Sequence, residues 1–381
     1  MKTEQLKSAN GVDWSQVDAP FAQSAHLVMV FGETALVANP KCYQSLKKLF
    51  PKAHVVGCSS GGHALGTRLS EGDVVATAVR FDSSSLRVAA FTLAASIDFD
   101  ALAHEIVDAL RGDDLRHIFL LSDGLATNGS KLAEALTRVA AGEVGITGGL
   151  AGDGTRFNET WVMADGPAAR GQLVAIGFYG QGLQVGTGCV AGWDEFGAER
   201  VITKSAGNVV YEIDNKPALA LYKEYLGPFA DELPGSAFRF PLNIRATQND
   251  KPVIRTVLGI NEADQSLTFA GDMPQGYFGR LMKTNLDGLI DSAGLAATAA
   301  NADQANAATQ LCLVVSCVGR RVVLQQLTEE ELDIIQDKLG EHASLVGFYS
   351  YGELAPQDAA GGPCELHNQT ISLTTLSELP A

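Results

Sequence analysis

Imidazole and thiol side chains are the groups of this 381-residue chain best suited to hold a metal ion or a cofactor. Among its seven histidines, His63 follows a run of small residues and His367 precedes a β-rich segment. We therefore take both as candidate cofactor ligands, with His63 as the metal ligand. The alternatives are that His63 faces solvent in a loop and that His367 is a structural imidazole bonded to the backbone or to a carboxylate.

Cys58 is a further soft ligand, although burial in an apolar run would raise the pKa of its thiol and make it inert. The six cysteines form no C-x-x-C pair, so neither a zinc knuckle nor a thioredoxin-type site is indicated. The glycine run of residues 148–154 lacks the lysine of a phosphate-binding loop. With no catalytic signature to identify a nucleophile or an acid–base pair, we expect a binding protein rather than an enzyme.

One pattern of strand, helix and strand occurs three times along the chain. An apolar run ends at a glycine, a helical stretch follows, and a second apolar run reaches a motif glycine 24 to 28 residues later. The glycines pair as Gly32 with Gly57, Gly124 with Gly148, and Gly319 with Gly347. A residue without a Cβ lets another backbone or a ligand approach closely. The three segments therefore either converge on one ligand-binding cleft or only pack strands tightly against helices.

The same three segments supply the other candidate ligand contacts. Aligning the units places His63 against Gly154 and Glu353. The full set of candidates for binding a ligand or cofactor comprises His63, His367, Cys58, Gly61, Gly62, Gly152, Asp153, Tyr351 and Glu353.

The repeated units predict an α/β (mixed α+β) fold, with mixed sheets flanked by helices and built from β-α-β-β units in two domains. A turn at residues 214–217 marks the expected domain boundary. We also expect a hairpin at Gln181-Gly182 and a helix over residues 281–300.

Composition excludes several classes of protein. The formal net charge of −16 repels phosphate backbones, which argues against a nucleic-acid partner. No apolar stretch approaches the roughly 20 residues of a membrane-spanning helix, and the first residues lack the apolar segment of a secretion signal. We therefore expect a cytoplasmic protein that has no membrane partner; the sequence does not indicate its oligomeric state.

Six motifs along the chain are VVGCSSGG (55–62), GGLAGDG (148–154), GNVVYEID (207–214), PALALY (217–222), YSYGE (349–353) and HNQT (367–370). Together they resemble the FIST family of intracellular sensors. The resemblance implies an N-terminal extension (1–24), a FIST N-type domain with an internal duplication (25–215) and a FIST C-type domain (216–381). His63 departs from the family, whose first motif commonly continues with an acidic residue.

The resemblance implies an intracellular ligand-binding sensor for signal transduction. A subset of stand-alone members is described as bacterial haem-binding nitric oxide sensors that regulate a histidine kinase in a two-component pathway. For this chain the expectation is thus a gas or small-molecule ligand, with haem as a cofactor and a histidine kinase as a partner. A haem-free sensor of a small organic ligand such as an amino acid is the alternative, and an enzyme with an unrecognised site or a protein-binding scaffold remain further alternatives.

Overall fold

The computed structural model describes residues 1–302, 308–357 and 362–379. Within them, helices flank four β-sheets, of which three are mixed and share one plan. At the centre of each mixed sheet lies a parallel pair of strands whose residues are buried on both faces, which explains their nearly continuous apolar sequence. The predicted mixed α/β fold is confirmed.

The first unit forms a five-stranded sheet around the parallel pair β2–β3. Strand β1, in the predicted N-terminal extension, lies at its edge and pairs with β6. The elements of this unit are β1 (Lys2–Ser8), α1 (Ala19–Ser24), β2 (Leu27–Gly32), α2 (Thr34–Val37), α3 (Pro40–Leu49), β3 (His54–Ser59), β4 (His63–Leu65), β5 (Arg68–Ser70) and β6 (Val74–Arg80).

The second unit repeats this arrangement around the parallel pair β8–β9, with β11 antiparallel beside β8 and β7 antiparallel beside β11. Its elements are β7 (Ser85–Thr92), α4 (Phe99–Leu110), β8 (Leu115–Ser122), α5 (Gly129–Ala140), β9 (Gly145–Leu150), β10 (Val162–Ala164) and β11 (Gln172–Tyr179).

An inserted lobe, residues 194–283, follows the first strand of the third unit, β12 (Leu183–Val190). Its strands form one sheet in the order β17-β16-β20-β13-β14-β19-β18, with β15 beside β14. The elements are β13 (Asp194–Ala206), β14 (Val209–Ile213), β15 (Lys216–Pro217), α6 (Ala218–Leu226), the 3₁₀ turns Gly227–Glu232 and Gly235–Arg239, β16 (Leu242–Arg245), β17 (Val253–Arg255), β18 (Val257–Asn261), β19 (Ser266–Phe269) and β20 (Phe278–Lys283). We call it the insert lobe.

The third unit resumes with a long helix and forms the sheet β12-β25-β21-β22 around the parallel pair β21–β22. Its elements are α7 (Leu286–Asn301), β21 (Leu311–Cys317), α8 (Val318–Leu324), the 3₁₀ turn Gln325–Leu327, α9 (Thr328–Leu339), β22 (Ser344–Ser350), β23 (Gly352–Pro356), β24 (Cys364–His367) and β25 (Ile371–Glu378). We call the three units together the three-unit body.

Two local predictions are wrong. The helix expected over residues 281–300 begins only at Leu286, because the preceding residues form β20 and pair with β13 and β16. No hairpin forms at Gln181-Gly182, since β11 pairs with β7 and β8 while β12 crosses to another sheet and pairs with β25. A Gly-containing turn specifies a change of direction but not the sheet that the next strand joins.

The units exchange strands in a cycle. Strand β10 of the second unit pairs with β3 of the first, and β23 of the third unit pairs with β9 of the second. The hairpin β4–β5 of the first unit completes the cycle by pairing with β22 of the third. Each sheet therefore ends on strands that another unit supplies.

One apolar core lies between the inner faces of the three sheets. Phe31, Phe119 and Phe348 contribute to it from the three units, and the rings of Phe31 and Phe348 stack with their centroids 4.8 Å apart. Helices cover the outer faces through separate apolar clusters. In the described part of the chain, every helix is too short or too polar to cross a membrane.

Candidate functional site

The three glycine segments meet at one end of the three-unit body. Gly61 N donates to Tyr349 O at 2.9 Å, Gly152 N to Ser59 O at 3.1 Å, and Tyr351 N to Leu150 O at 3.0 Å. These hydrogen bonds join each turn to a strand or turn of another unit. We call this meeting point the glycine-turn junction.

Close backbone packing explains the motif glycines. A Cβ added to Gly57, Gly148 or Gly347 would lie 1.9 to 2.0 Å from a carbonyl oxygen of the neighbouring parallel strand. Real Cβ atoms cannot approach an oxygen so closely, so only glycine fits at these three equivalent positions.

Packing also fills the glycine-turn junction itself. A Cβ on Gly61 would lie 2.7 Å from Val318 Cγ2 and 3.2 Å from Gly154 Cα, and one on Gly152 would lie 3.2 Å from Tyr349 O. The turns converge as the cleft hypothesis requires, but they touch one another where they meet.

His63 is buried, with 1% of its surface exposed, so the alternative of a solvent-facing loop is wrong. Its Nδ1 lies 3.1 Å from Ser60 Oγ and its Nε2 lies 2.6 Å from Asp73 Oδ1. Burial alone would raise the pKa of Asp73, but hydrogen bonds from His63 and Lys7 lower it overall. Because both ring nitrogens are hydrogen-bonded to protein groups, neither presents a free lone pair to a metal ion.

Glu353 occupies the position equivalent to His63 in the third unit, since His63 pairs with Phe348 and Glu353 with Gly149 in matching registers. Ser350 Oγ donates to Glu353 Oε1 at 2.5 Å and Thr370 Oγ1 donates to Oε2 at 2.8 Å. Burial raises the pKa of Glu353 to about 8, although these hydrogen bonds oppose the shift.

His63 and Glu353, which the sequence alignment of the units pairs, are therefore at equivalent positions in the structure. Gly154, which the alignment also pairs with His63, is not. Val162 pairs with Cys58 and stands in the equivalent place of the second unit. Residues 153–161 form an additional loop before it, which displaced the alignment of the sequences.

His367 and Cys58 are also buried. His367 Nε2 lies 3.1 Å from Ala355 O, and burial lowers the pKa of this imidazole to about 4. Cys58 belongs to the shared core, where burial raises the pKa of its thiol well above the usual value. The structure thus places His367 in a backbone-bonded setting and Cys58 among apolar side chains.

The expectation that the sequence lacks a catalytic signature needs one correction, because Gly57 to Gly61 match the G-x-S-x-G pattern of a hydrolase nucleophile elbow. That elbow requires a strand, a sharp turn and a helix, with the serine exposed. Ser59 instead ends strand β3 in a fully buried position, and its Oγ accepts a hydrogen bond from Trp161 N at 3.0 Å. The G-x-S-x-G pattern is therefore present in the sequence without the exposed serine and the strand-turn-helix geometry of a nucleophile elbow.

Asp153 and Tyr351 fix the additional loop. The carboxylate of Asp153 accepts hydrogen bonds from Phe157 N and Asn158 N, both at 2.9 Å, and from the hydroxyl of Tyr351. Phe157 has φ +49°, a conformation that is uncommon for a residue with a side chain, and its ring stacks on Tyr351 at 4.6 Å. The loop thus holds an aromatic pair at the surface of the three-unit body.

A cavity of about 360 Å³ lies between this aromatic pair and the insert lobe. We call it the inter-lobe cavity. Its lining residues are Gly124, Leu125, Ala126, Thr127, Asn128, Gly129, Leu150, Phe157, Cys317, Val318, Tyr351 and Asn368 from the three-unit body, and Asn208, Phe238, Thr256, Leu258, Phe269, Ala270 and Gly271 from the insert lobe.

Two buried polar groups in the wall of this cavity lack partners. Asn368 is 0% exposed and Thr256 is 2% exposed. Neither Asn368 Oδ1 nor Thr256 Oγ1 has a hydrogen-bond partner among the described residues. An unpartnered buried oxygen costs roughly 1–3 kcal/mol. Both atoms belong to residues that line the inter-lobe cavity, and a ligand that reaches them would supply the missing hydrogen bonds.

The remainder of the cavity is mostly apolar. Leu125, Phe157 and Leu258 line it while remaining 37–43% exposed, so large apolar side chains stand at its mouth. The first turn of α5 also lines it, and Asn128 caps that helix by accepting from Lys131 N at 3.1 Å. None of the described lining residues carries a charge. Apolar walls with a few directed polar groups are typical of small-molecule sites.

Sequence reasoning identified only one of these lining residues, Tyr351, as a candidate contact. Asn368 lies within the motif at residues 367–370, but the sequence analysis selected its neighbour His367 as the candidate ligand because an imidazole can bind a metal ion. Thr256 and the start of α5 had no recognisable signal, because they come from segments that meet only in the folded chain.

The donors present do not fit haem. Cys317 and Tyr351 are the cavity residues whose side chains could bind iron. Burial raises the pKa of the Cys317 thiol, and the Tyr351 hydroxyl already donates to Asp153. Within the described residues, moreover, no three or more His, Cys, Asp or Glu side chains are grouped to hold a metal ion. Haem binding stays a prediction without support from this geometry.

Comparison with protein families matches residues 26–216 to the FIST N domain and residues 218–356 to the FIST C domain. FIST domains are those of signal-transduction sensors that bind small ligands, and this defines the class of the chain. The chain belongs to the FIST family.

Two further comparisons give weaker similarity. An uncharacterized protein of Methanocaldococcus jannaschii is 23% identical over 356 residues, which cover 83% of this chain and 67% of that protein. A crystal structure of cyanuric acid hydrolase from A. caulinodans is 10% identical, with coverage of 78% of this chain and 100% of that chain and a TM-score of 0.19.

Proposed function

We propose that the chain senses a small organic molecule, without haem, by binding it in the inter-lobe cavity. The observation that carries this proposal is the pair of buried, unpartnered oxygens, Asn368 Oδ1 in the three-unit body and Thr256 Oγ1 in the insert lobe. A ligand that bonds both would compensate their desolvation and join the two lobes.

The connection between the lobes suits a ligand-dependent movement. The backbone passes between the insert lobe and the three-unit body at two places, residues 191–193 and 284–285. Hydrogen bonds also join the lobes, among them Arg255 Nη1 to Leu366 O at 2.9 Å and Asn128 Nδ2 to Asp272 Oδ1 at 3.0 Å. The two connecting segments lie side by side, because a Cβ on Gly192 would be 2.3 Å from Gly288 O and Asn285 Nδ2 lies 3.3 Å from Asp194 Oδ2. A two-segment connection of this kind permits hinge closure around a bound molecule.

Gln369, next to the cavity residue Asn368, contacts both the hinge and the insert lobe. Trp193 Nε1 in the first hinge segment donates to Gln369 O at 2.9 Å, and Gln369 Nε2 donates to Phe238 O at 3.2 Å. A ligand that shifts Asn368 would therefore act on residues that set the angle between the lobes. Ligand binding can change that angle only through a difference in affinity for the open and closed arrangements.

The first test is a thermal-unfolding screen against amino acids, organic acids, amides and nucleobases. A ligand at 100 times its dissociation constant stabilises the folded state by about 2.7 kcal/mol, which is an increase of several degrees in Tm. Ala126 is exposed at the cavity mouth, so Ala126→Trp should fill the cavity without disturbing the core and should abolish the increase.

The matched control is Ala263→Trp, at an exposed turn residue of the insert lobe that lies outside the inter-lobe cavity. It should leave the ligand-induced increase in Tm unchanged. A screen without any stabilising compound, or an increase that survives Ala126→Trp, would contradict the proposal.

The output of the sensor is a separate part of the proposal. Regulation of a histidine kinase, as the family resemblance implies, predicts that the autophosphorylation rate of the partner kinase changes when the chain and its ligand are added together. The rate should not change when Ala126→Trp replaces the wild-type chain.

A further inference from the structure

We infer that the ligand of the inter-lobe cavity is an uncharged molecule that carries an N–H donor beside a C=O acceptor, as in a carboxamide, a lactam or a ureide. This inference rests on the proposed function and specifies the chemical class of its ligand. It replaces the amino-acid zwitterion, which the sequence analysis gave as the example for the haem-free alternative.

The first argument is the charge of the cavity wall. Burying an ammonium or carboxylate group without a counter-charge is costly. None of the described lining residues is charged, so a zwitterion would have no carboxylate in the wall itself to pair with its ammonium group. The nearest carboxylates, Asp272 and Asp153, lie behind the wall and already accept from the lining residues Asn128 and Tyr351. The carboxylate of Asp123, which directly precedes the lining residue Gly124, already accepts from Leu125 N, Thr160 Oγ1 and Gly171 N.

The second argument is the hydrogen-bonding pattern of Asn368. Its Oδ1 is free to accept a hydrogen bond, while its Nδ2 donates to His367 O at 3.0 Å and carries a second N–H. A carboxamide with a free acceptor and a free donor is complementary to a ligand with a donor and an acceptor side by side. Thr256 Oγ1, also without a partner, offers a further hydroxyl for the polar edge of such a molecule.

The third argument is the shape of the remaining surface. Phe157 and Tyr351 form a stacked pair at one side of the cavity, and Phe238 and Phe269 contribute from the insert lobe. Aromatic side chains favour a planar ligand. The first turn of α5 presents the positive end of a helix dipole, which favours the oxygen of a polarised carbonyl group.

A helix N-terminus also attracts carboxylates, so the test compares matched pairs that differ in that group. The probes are nicotinamide with nicotinate, and uracil with orotate, and the measurement is the dissociation constant by titration calorimetry or ligand-observed NMR. We expect each uncharged member to bind at least tenfold more tightly than its carboxylate partner. Asn368→Asp, which removes the donor and adds a charge, should weaken binding of the uncharged member about tenfold.

Asn249→Asp makes the same chemical change at an exposed position outside the inter-lobe cavity and should leave both dissociation constants unchanged. If the buried charge of Asn368→Asp prevents folding, Thr256→Val provides a second variant, and the contrast within each probe pair needs no variant at all. Both readouts therefore remain available.

The outcomes separate this inference from the proposed function. If nicotinate or orotate binds as tightly as its uncharged partner, and Ala126→Trp blocks that binding, the ligand class is wrong and the cavity remains a binding site. The same holds if none of the four probes binds while other compounds give increases in Tm that Ala126→Trp abolishes. If only the uncharged probes bind, and Ala126→Trp abolishes their binding, the result supports both the inter-lobe cavity as the binding site and the uncharged class of ligand.

Discussion

The glycine-turn junction and the inter-lobe cavity are neighbours, since Tyr351 packs against Gly152 and also lines the cavity, but their buried polar groups differ in whether they are hydrogen-bonded. At the junction, His63 and Glu353 are buried and each is hydrogen-bonded to two side chains, Ser60 and Asp73 in one case and Ser350 and Thr370 in the other. In the wall of the cavity, Asn368 and Thr256 are equally buried, but one side-chain oxygen of each has no partner within the described part of the chain.

This difference indicates which region is structural and which binds. Satisfied polar groups in a closed packing arrangement hold the three turns together and leave no bonding capacity for a ligand. Unsatisfied groups beside an open volume reduce stability until a ligand bonds them. The repeated motifs therefore build the platform, and residues from outside the repeated motifs complete the site.

The largest predicted effect concerns the platform. Gly57→Ala places a Cβ 1.9 Å from Val30 O and should lower the free energy of unfolding by more than about 4 kcal/mol, or prevent folding, in urea titrations. Gly166→Ala is the control, because a Cβ there meets no atom within 4 Å and its stability should be near wild type. A Gly57→Ala variant as stable as the control would refute tight packing as the role of the motif glycines.

A smaller effect distinguishes Glu353 by its pH dependence. Burial raises the pKa of Glu353 to about 8, so between about pH 4.5 and 8 the folded chain holds a proton that the unfolded chain releases. This group therefore makes the free energy of unfolding fall as pH rises through that window. The difference between wild type and Glu353→Gln, measured by urea titrations at several pH values, should show this slope.

The exposed Glu330→Gln serves as the matched control for the Glu353 experiment and should leave the slope of wild type unchanged. His367 contributes an opposite trend in both chains, because burial lowers the pKa of its imidazole to about 4 and stability is lost as pH falls below 6.5. Only the difference curve isolates Glu353, and a flat difference curve would show that its carboxyl ionises normally.

The smallest effect concerns the cavity wall. Thr256→Val removes a buried hydroxyl that has no partner among the described residues, so the free energy of unfolding should stay the same or rise by up to about 1 kcal/mol, while the ligand-induced increase in Tm diminishes. Thr147→Val should instead lower the free energy of unfolding by about 1–2 kcal/mol, because the buried Thr147 Oγ1 is hydrogen-bonded to His117 Nε2 and to Thr374 Oγ1, both at 2.7 Å. Equal losses in the two variants would mean that Thr256 is as well satisfied as Thr147.

Much of the fold could be predicted from the sequence because it is encoded locally. Strands buried on both faces have apolar sequences, and the spacing of Gly57, Gly148 and Gly347 revealed three equivalent units. The partners of the exchanged strands could not be predicted, since the pairing of β4 with β22 joins residues almost 300 positions apart. Local periodicity carries no information about such pairings.

The site was less predictable than the fold. The sequence shows only the chemistry of the side chains, which favoured His63 and His367 as ligands. The structure also shows whether each polar atom has a hydrogen-bond partner. Asn368 and Thr256 are ordinary residue types, and only their surroundings make their oxygens available. The expectations that the chain is not an enzyme and that it lies in the cytoplasm stay predictions.

The cyclic exchange of β4–β5, β10 and β23 has a consequence for how this chain can be divided. A fragment that stops near residue 215 would leave β9 without β23 and β4–β5 without β22, so two open strand edges would be exposed to other molecules. The two family domains are thus stretches of sequence that share a single cooperative structure. During synthesis, the hairpin β4–β5 within the first 70 residues cannot pair with β22 until that strand has been made. Pairings between residues so far apart in sequence give the fold a high contact order.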